Sequence, residues 1–485
     1  MKAQKHGAED RLHKYWARKP AGLVAHRLAG LVRAGDTVVD PFCGSGVAVR
    51  EAARLGCVAI GFDANPVAAL LTRVTLSPPT LADHDAATAE MLAAVAPLAE
   101  AAWGDTRWVV HVTVVRCPGC EREVGADQAA GQSRKWRCPH CGGRLLFNLE
   151  HLTRTRVVSG ATDLAAEMAR SEVGEVDPAF DQPLVENRRI LAFKGMRTSM
   201  LFTRRNAALL GAAARAAHGD SALLTLTGSV AQCSRLVAFR NGLSTGGPAW
   251  SVPGFWVPPI HVESNPMLHL RARAAKVRAA IAARAPLCAE ARVECTTAQA
   301  GLAALPAATA DLVFLDPPYG DSVPYLEFSA LWNAFLGPLP SLERDLSVSD
   351  REPRDVAWAR YRQGLRDVLA EVARVLRPSG AVLVTFNSHD PRAWAAILGA
   401  LQSAGLACTD AEYAEPAVVS AKAQLAPDGS YTGDIWAVFR PSTATPSRVA
   451  PPPVTETPAT AAHTRALRNR HLAILLGNVS AEAAL

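Results

Sequence analysis

No apolar run in this chain approaches the ~18 uncharged residues of a membrane span. The N-terminus lacks the continuous apolar core of a secretory signal, so a cytoplasmic protein is expected. No internal repeat is evident, and neither sign of charge dominates: the net charge is +6 and the pI about 8.8. That mild basic bias is compatible with a phosphate-backbone partner without proving one. Ten cysteines without a secretory signal argue for thiols or metal ligands rather than disulfides. The glycine pair at Gly44 and Gly46 has no third member, since Val49 holds the place that would complete Gly-x-Gly-x-x-Gly. A dinucleotide site is disfavoured on that ground. No Pro-Cys dipeptide occurs anywhere.

What is present points to an α/β protein of 485 residues with ample apolar content, 49%, for a large core. The basic residues of the first 36 positions read as a solvated surface run. Thr37–Val39 and Val58–Phe62 read as buried strands, with helices expected over Val47–Leu55 and Pro66–Thr75. The β-α rhythm then breaks. It returns with a helix over Leu268–Ala283, a weak strand at Arg292–Thr296 and a strong one at Leu312–Leu315. A helix over Tyr361–Leu376 is expected to stop at Arg377-Pro378-Ser379-Gly380, followed by a strand Ala381–Phe386, a helix Ala393–Ala404 and a last strand Ile435–Phe439. Between the halves lie a helix over Asn206–Ala217 and glycine-rich turns at 242–247. After Pro441 the composition turns to Pro, Thr and Ala and should not order, save for a short helix over 465–476.

Two segments carry the chemistry. Asp40-Pro41-Phe42-Cys43-Gly44-Ser45-Gly46 follows a strand and opens a helix, the context in which a glycine turn holds a nucleoside cofactor. Asp63 ends the next strand, 17 residues after Gly46, where a carboxylate can accept from ribose hydroxyls. Asp316-Pro317-Pro318-Tyr319 closes another apolar strand at the carboxyl edge of the sheet. A third feature is Cys117-Pro118-Gly119-Cys120 and Cys138-Pro139-His140-Cys141, two Cys-x2-Cys knuckles 17 residues apart. Their four thiolates suit a closed tetrahedral structural metal, zinc by preference, with rubredoxin-like iron the chemical rival. His140 reads as a bystander, and Cys57, Cys233, Cys288, Cys295 and Cys408 as buried thiols.

With these motifs in this order, the chain resembles the S-adenosylmethionine-dependent DNA amino-methyltransferases of the adenine-N6 and cytosine-N4 type, in a bacterial subgroup carrying a zinc-ribbon insertion. The resemblance covers about 1–80 and 260–440, and includes the Tyr325–Trp332 stretch and Thr385-Phe386-Asn387. It implies a doubly wound, mostly parallel Rossmann-like sheet interrupted by a zinc ribbon and a further insertion. The expected units are 1–105 and 259–440 as the two halves of the core, 106–150 as the ribbon, 151–258 as a candidate target-recognition insertion, and 441–485 as a tail. It also implies S-adenosylmethionine binding by Asp40, Phe42, Gly44, Ser45, Gly46 and Asp63. Lys19 would join them from the segment His13–Pro20, which a basic, aromatic surface strip explains nearly as well. Where related enzymes often carry an acidic residue near the adenine ring, this chain has Gln299.

The chemistry explains the tetrapeptide. An exocyclic amine is a poor nucleophile because its lone pair is delocalised into the ring. Asp316 accepting one N–H and the Pro317 carbonyl accepting the other would free that pair, with Pro318 stiffening the turn and Tyr319 offering a face to a flipped base. DNA adenine N6 is the preferred target on the resemblance. Cytosine N4, an RNA amine, and an inactive zinc-ribbon nucleic-acid binder remain as alternatives. Ring-carbon methylation would use the Pro-Cys pair that is missing here.

Overall fold

The computed structural model describes residues 9, 12–16, 18–130, 135–159, 164–239, 254–388, 390–414 and 433–441. The expected turns at 242–247, the tail beyond 441 and its terminal helix lie outside these described residues. Among them, no helix is long and apolar enough to cross a membrane.

The N-terminal half winds as its apolar pattern requires. Helix α1 (Ala21–Ala29) precedes β1 (Thr37–Asp40), then come α2 (Val47–Arg54), β2 (Val58–Phe62) and α3 (Pro66–Leu76). Val38, Val39, Ala59, Ile60 and Phe62 are buried on both faces of the sheet, which is why these strands read as continuous apolar runs rather than alternating ones. Helix α4 (Leu81–Trp103) then leads out of the sheet.

A second, four-stranded sheet follows. Its spine is β3 (Trp108–Arg116), flanked by β4 (Glu123–Gly125) and β5 (Leu152–Ser159), and β6 (Ile260–Ser264) also pairs with β3. Between β5 and β6 run α5 (Leu164–Ser171), α6 (Arg204–Ala216) and α7 (Asp220–Val230). Because β6 pairs with β3, the chain from 106 to 264 is stitched together at both ends.

After α8 (Pro266–Ala282) the main sheet resumes with β7 (Ala291–Glu294), α9 (Ala298–Ala303), β8 (Ala310–Leu315) and α10 (Tyr325–Asn333). It ends with α11 (Arg354–Val375), β9 (Leu376–Phe386), α12 (Pro391–Ser403), β10 (Leu406–Ala414) and β11 (Asp434–Pro441). The seven strands order as β10-β11-β9-β8-β1-β2-β7, parallel from β9 to β7, with β11 antiparallel to β9 and β10 antiparallel to β11. This is a mostly parallel, Rossmann-like α/β sheet.

One boundary differs from expectation. Arg377 to Gly380 is not a loop between helix and strand: β9 starts at Leu376, directly after α11. Leu376 pairs with Ala310 and Ala381 with Leu312, so these four residues bulge out opposite Asp311. A bulge leaves Pro378 without a ladder donor to supply, which is how a strand tolerates it. Two of the five cysteines expected to be buried, Cys288 and Cys295, are exposed, because they lie in the turns bordering the short edge strand β7.

Candidate active site

The parallel sheet reverses its winding between β1 and β8: α2 carries the chain from β1 to β2 on one side, while β9 lies on the other side of β8. Ligands in such sheets bind outside the carboxyl ends of the strands at this switch point. Asp40 ends β1 and Asp316 follows β8, so both expected segments meet there. They line one open cavity with about 1180 Å3 of empty space. Lys19, Asp40, Phe42, Gly44, Ser45, Asp63, Gln299, Asp316 and Pro318 all border it.

The glycine turn is held by its neighbours. Gly44 and Gly46 have φ of +52° and +74°, in the left-handed region that disfavours side chains. The Gly44 N–H donates to Asp63 Oδ2 at 2.8 Å, and the Thr72 hydroxyl donates to the Gly44 carbonyl at 3.1 Å. A Cβ on Gly46 would lie 2.5 Å from Thr72 Cγ2, and one on Gly44 would lie 3.1 Å from the Tyr15 ring. The missing side chain at Gly46 therefore lets α3 close on the turn, while Gly44 lets Tyr15 lie over the cavity wall. Asp63 Oδ1 also accepts from Asn65 N at 2.8 Å, and Asp40 Oδ1 from Phe42 N at 3.1 Å. Arg18 Nε donates to the Ser45 hydroxyl at 3.0 Å.

The tetrapeptide divides. Asp316 and Pro318 border the cavity, while Pro317 is buried and Tyr319 packs edge-to-face on Phe386 with centroids 4.9 Å apart. The Tyr319 hydroxyl donates to Asp316 Oδ1 at 2.6 Å, and the Tyr361 hydroxyl donates to the Pro318 carbonyl at 2.8 Å. Lys19 stands with this group rather than at the glycine turn. Its ammonium donates to the Tyr319 hydroxyl at 2.6 Å and pairs with Asp316 Oδ2 at 3.2 Å and Asp434 Oδ2 at 3.5 Å. The aromatic rings on the cavity wall are Tyr15, Trp16, Phe42, Phe314 and Tyr325, with Tyr15 stacked on Tyr325 at 6.3 Å and Trp16 on Phe328 at 5.4 Å.

The cavity favours cations. Five acidic residues line it (Asp40, Asp63, Asp316, Glu343 and Asp345) against three basic ones (Arg18, Lys19 and Arg344). Burial pushes the Asp40 carboxyl well above its ordinary range, a rise to which the neighbouring carboxylates of Asp316 and Asp63 add. Burial likewise raises Asp63 to about 6, against the pull of the Asn65 and Gly44 N–H groups. Asp316 is raised by burial too, with Lys19 and Tyr319 drawing it back. A sulfonium and an ammonium fit such a surface, whereas a pyrophosphate would find too few donors with positive charge.

Away from the cavity, Cys117, Cys120, Cys138 and Cys141 gather their Sγ atoms within 4.8 Å of one another, a cluster able to hold a metal ion. Cys117 to Cys141 is 3.5 Å and Cys120 to Cys138 is 3.7 Å. Those separations are far beyond a disulfide and near the ~3.8 Å edge of a tetrahedron with ~2.3 Å metal–sulfur bonds. Val112, Val115, Val124, Leu145 and Phe147 form a small core beneath the cluster.

Sequence reasoning missed Asp434 as a neighbour of the site. Asp434 carries no motif: β11 runs antiparallel, so its first residue arrives at the carboxyl edge of the parallel strands, a fact of topology rather than of spacing.

Residues 1–72 match the model of the N6/N4 DNA methylase family, whose description is DNA methylase. The matched stretch contains Lys19, the glycine turn and Asp63. No curated protein matches the chain. Among solved structures, the crystal structure of PH0851 aligns over 36% of this chain at 14% identity and a TM-score of 0.21, a likeness that carries no argument. The alignment spans about a third of that protein, 34% of its length.

Proposed function

We propose that this chain methylates an exocyclic amine of DNA using S-adenosylmethionine, with adenine N6 the preferred target. The observation that carries this reading is the single cavity shared by the Gly44–Gly46 turn and Asp316. In this reading Asp63 accepts from the ribose hydroxyls, Phe42 and Tyr15 flank the adenine, and Asp40 answers the positive charge of the methionine end. When bound, S-adenosylmethionine supplies a methyl group on a sulfonium for direct transfer, the sulfur keeping the bonding pair.

The protein's own part is to make a poor nucleophile reactive and to position it. Asp316 accepts one N–H of the amine and the Pro317 carbonyl accepts the other, so the nitrogen pyramidalises and its lone pair leaves the ring. The proton that must leave the methylated nitrogen passes to Asp316 and from there to water. Positioning supplies most of the acceleration, since displacement at a sulfonium needs little acid–base help. Tyr319 orients Asp316 through its hydroxyl, and stacking of the base falls to the aromatic wall of Trp16 and Tyr325. The four-cysteine cluster is assigned to structural zinc in a ribbon, closed to substrate and outside the chemistry. The helices between 151 and 258 are assigned to target recognition.

Calorimetric titration with S-adenosylmethionine, followed by transfer of a labelled methyl group to duplex DNA, tests the reading. Mass spectrometry of the nucleosides then separates N6-methyladenine from N4-methylcytosine. A folded sample that fails to bind S-adenosylmethionine refutes the enzyme and favours a nucleic-acid-binding protein.

A further inference from the structure

We infer that Lys19 and Asp434 are positioning residues for the proposed transfer: the ammonium, gripped by Asp316, Asp434 and the Tyr319 hydroxyl, holds the Asp316 carboxylate charged and aimed into the cavity. This inference rests on the proposed reading for its link to catalysis, but its geometric and electrostatic content stands apart from it. An ammonium has three N–H donors, and Lys19 has three oxygen acceptors at 2.6, 3.2 and 3.5 Å. Its donors are thus committed to this group rather than to a cofactor carboxylate. The side chain is only 7% exposed, a burial that a lysine tolerates when paired. Pro20, the N-cap of α1, follows it with φ −64° and ψ 124°, which fixes the chain direction at the point where Lys19 turns inward. Asp434 comes from β11, two strands from β8, and reaches the cluster because that strand runs against its neighbours.

The charged and titratable groups facing Asp316 come from five places. They are Lys19 ahead of α1, Asp40 on β1, Tyr319 in the same turn, Tyr325 on α10 and Asp434 on β11. The two positioning residues act on Asp316 with opposite sign. Burial disfavours its anion most, Lys19 opposes that, and Asp434 adds to it. Burial also pulls the Lys19 ammonium down, but Asp316 and Asp434 outweigh it and leave Lys19 above its ordinary value. Asp434 therefore keeps the cation charged while making Asp316 a stronger acceptor.

The test measures the pH profile of kcat for Lys19→Met and Asp434→Asn. Removing the cation should move the acidic limb up by ~1–3 pH units, and removing the second carboxylate should move it down. Affinity for S-adenosylmethionine should stay within about tenfold in both. Lys19→Arg should restore the wild-type limb, which separates charge from mere packing. A readout independent of turnover is the titration of 13C-carboxyl aspartate by NMR, with the Asp316 signal identified by its loss in Asp316→Asn. Opposite displacements of that signal in the two variants support the inference even if no methyl transfer is found, an outcome that sinks only the functional reading. Unmoved or like-signed midpoints in folded variants overturn the inference whatever the enzyme does.

Discussion

At the scale of single residues, the site spends stability to gain an acceptor surface. Asp63 sits at about 6 in the folded protein, whereas an unfolded chain would hold it near ~3.9. The folded state thus keeps this proton to higher pH than the unfolded one, so its contribution to stability falls as pH rises from about 4 to about 6. Asp63→Asn should remove that slope but not stabilise the ligand-free protein at pH 7, because its NH2 would face one of the two N–H groups that the carboxylate now accepts. The same variant should weaken binding of S-adenosylmethionine. Thermal melts across pH 4–8 check the first part, and an unchanged slope would contradict the cause assigned to it. For Asp316→Ala, transfer should be lost while cofactor affinity stays within about tenfold, because this carboxylate faces the base. Single-turnover assays beside calorimetry make that distinction, and wild-type turnover would contradict the role.

At the scale of elements, two clusters hold the stretch 106–264 together by different physics. In the first, Arg205 on α6 is fully buried between Glu263 on β6 and Glu167 on α5 and lies over the Trp103 ring at 3.6 Å. Its Nε and Nη2 donate to the two Glu263 oxygens at 2.9 and 2.8 Å, and Thr203 and His111 complete that carboxylate's partners. The Arg205 and His111 partners bring Glu263 far below the ordinary carboxylate range despite burial. Arg205→Ala would strip the buried Glu263 of its guanidinium and leave Glu167 with Arg170 at 3.3 Å, and should cost ~3–5 kcal/mol, read by urea unfolding. The second cluster is the four-cysteine site. With the metal in place, Cys138→Ser or a strong chelator should unfold the segment around β4 while leaving the parallel sheet formed, since the small core beneath the thiols shares no residue with the main one. Metal analysis and amide exchange over 112–147 would show it; full protection in the chelated protein would rule out a structural metal.

At the scale of the whole molecule, the stretch 106–264 is not a detachable module. Trp332, Phe328 and Leu331 of α10 belong to one core with Met91 and Trp103 of α4, Leu209 of α6 and Leu226 of α7. Helix α10 begins at Tyr325 on the cavity wall, so α4, α6 and α7 buttress the same element that carries part of the site. Phe328 and Trp332 are buried in this core, and Tyr325 is left on the cavity wall. Deleting 106–264 should therefore yield an aggregating protein without S-adenosylmethionine binding, not a minimal enzyme of relaxed specificity. Recovery of a soluble deletion with sequence-specific methylation would refute both this coupling and the recognition role proposed for 151–258.

Local pattern was enough wherever a segment's neighbours in sequence are also its neighbours in function. Val38 and Val39 announce a doubly buried strand, Gly44 and Gly46 a tight turn, and the two Cys-x2-Cys knuckles a cluster of thiols, because residue type and spacing within each short segment carry the signal even where the closing contacts reach to Leu312, Asp63 or across 24 residues. Helices α4 and α7 escaped notice because alanine and small residues spread around them blur any apolar stripe, and β10 because its residues alternate weakly at a sheet edge. What only the folded chain decided are the long-range meetings: Lys19 with Asp316, β6 with β3, and Asp434 at the strand tips. Such contacts depend on strand order and direction, which no short window of sequence encodes, and they place charge where the chemistry needs it.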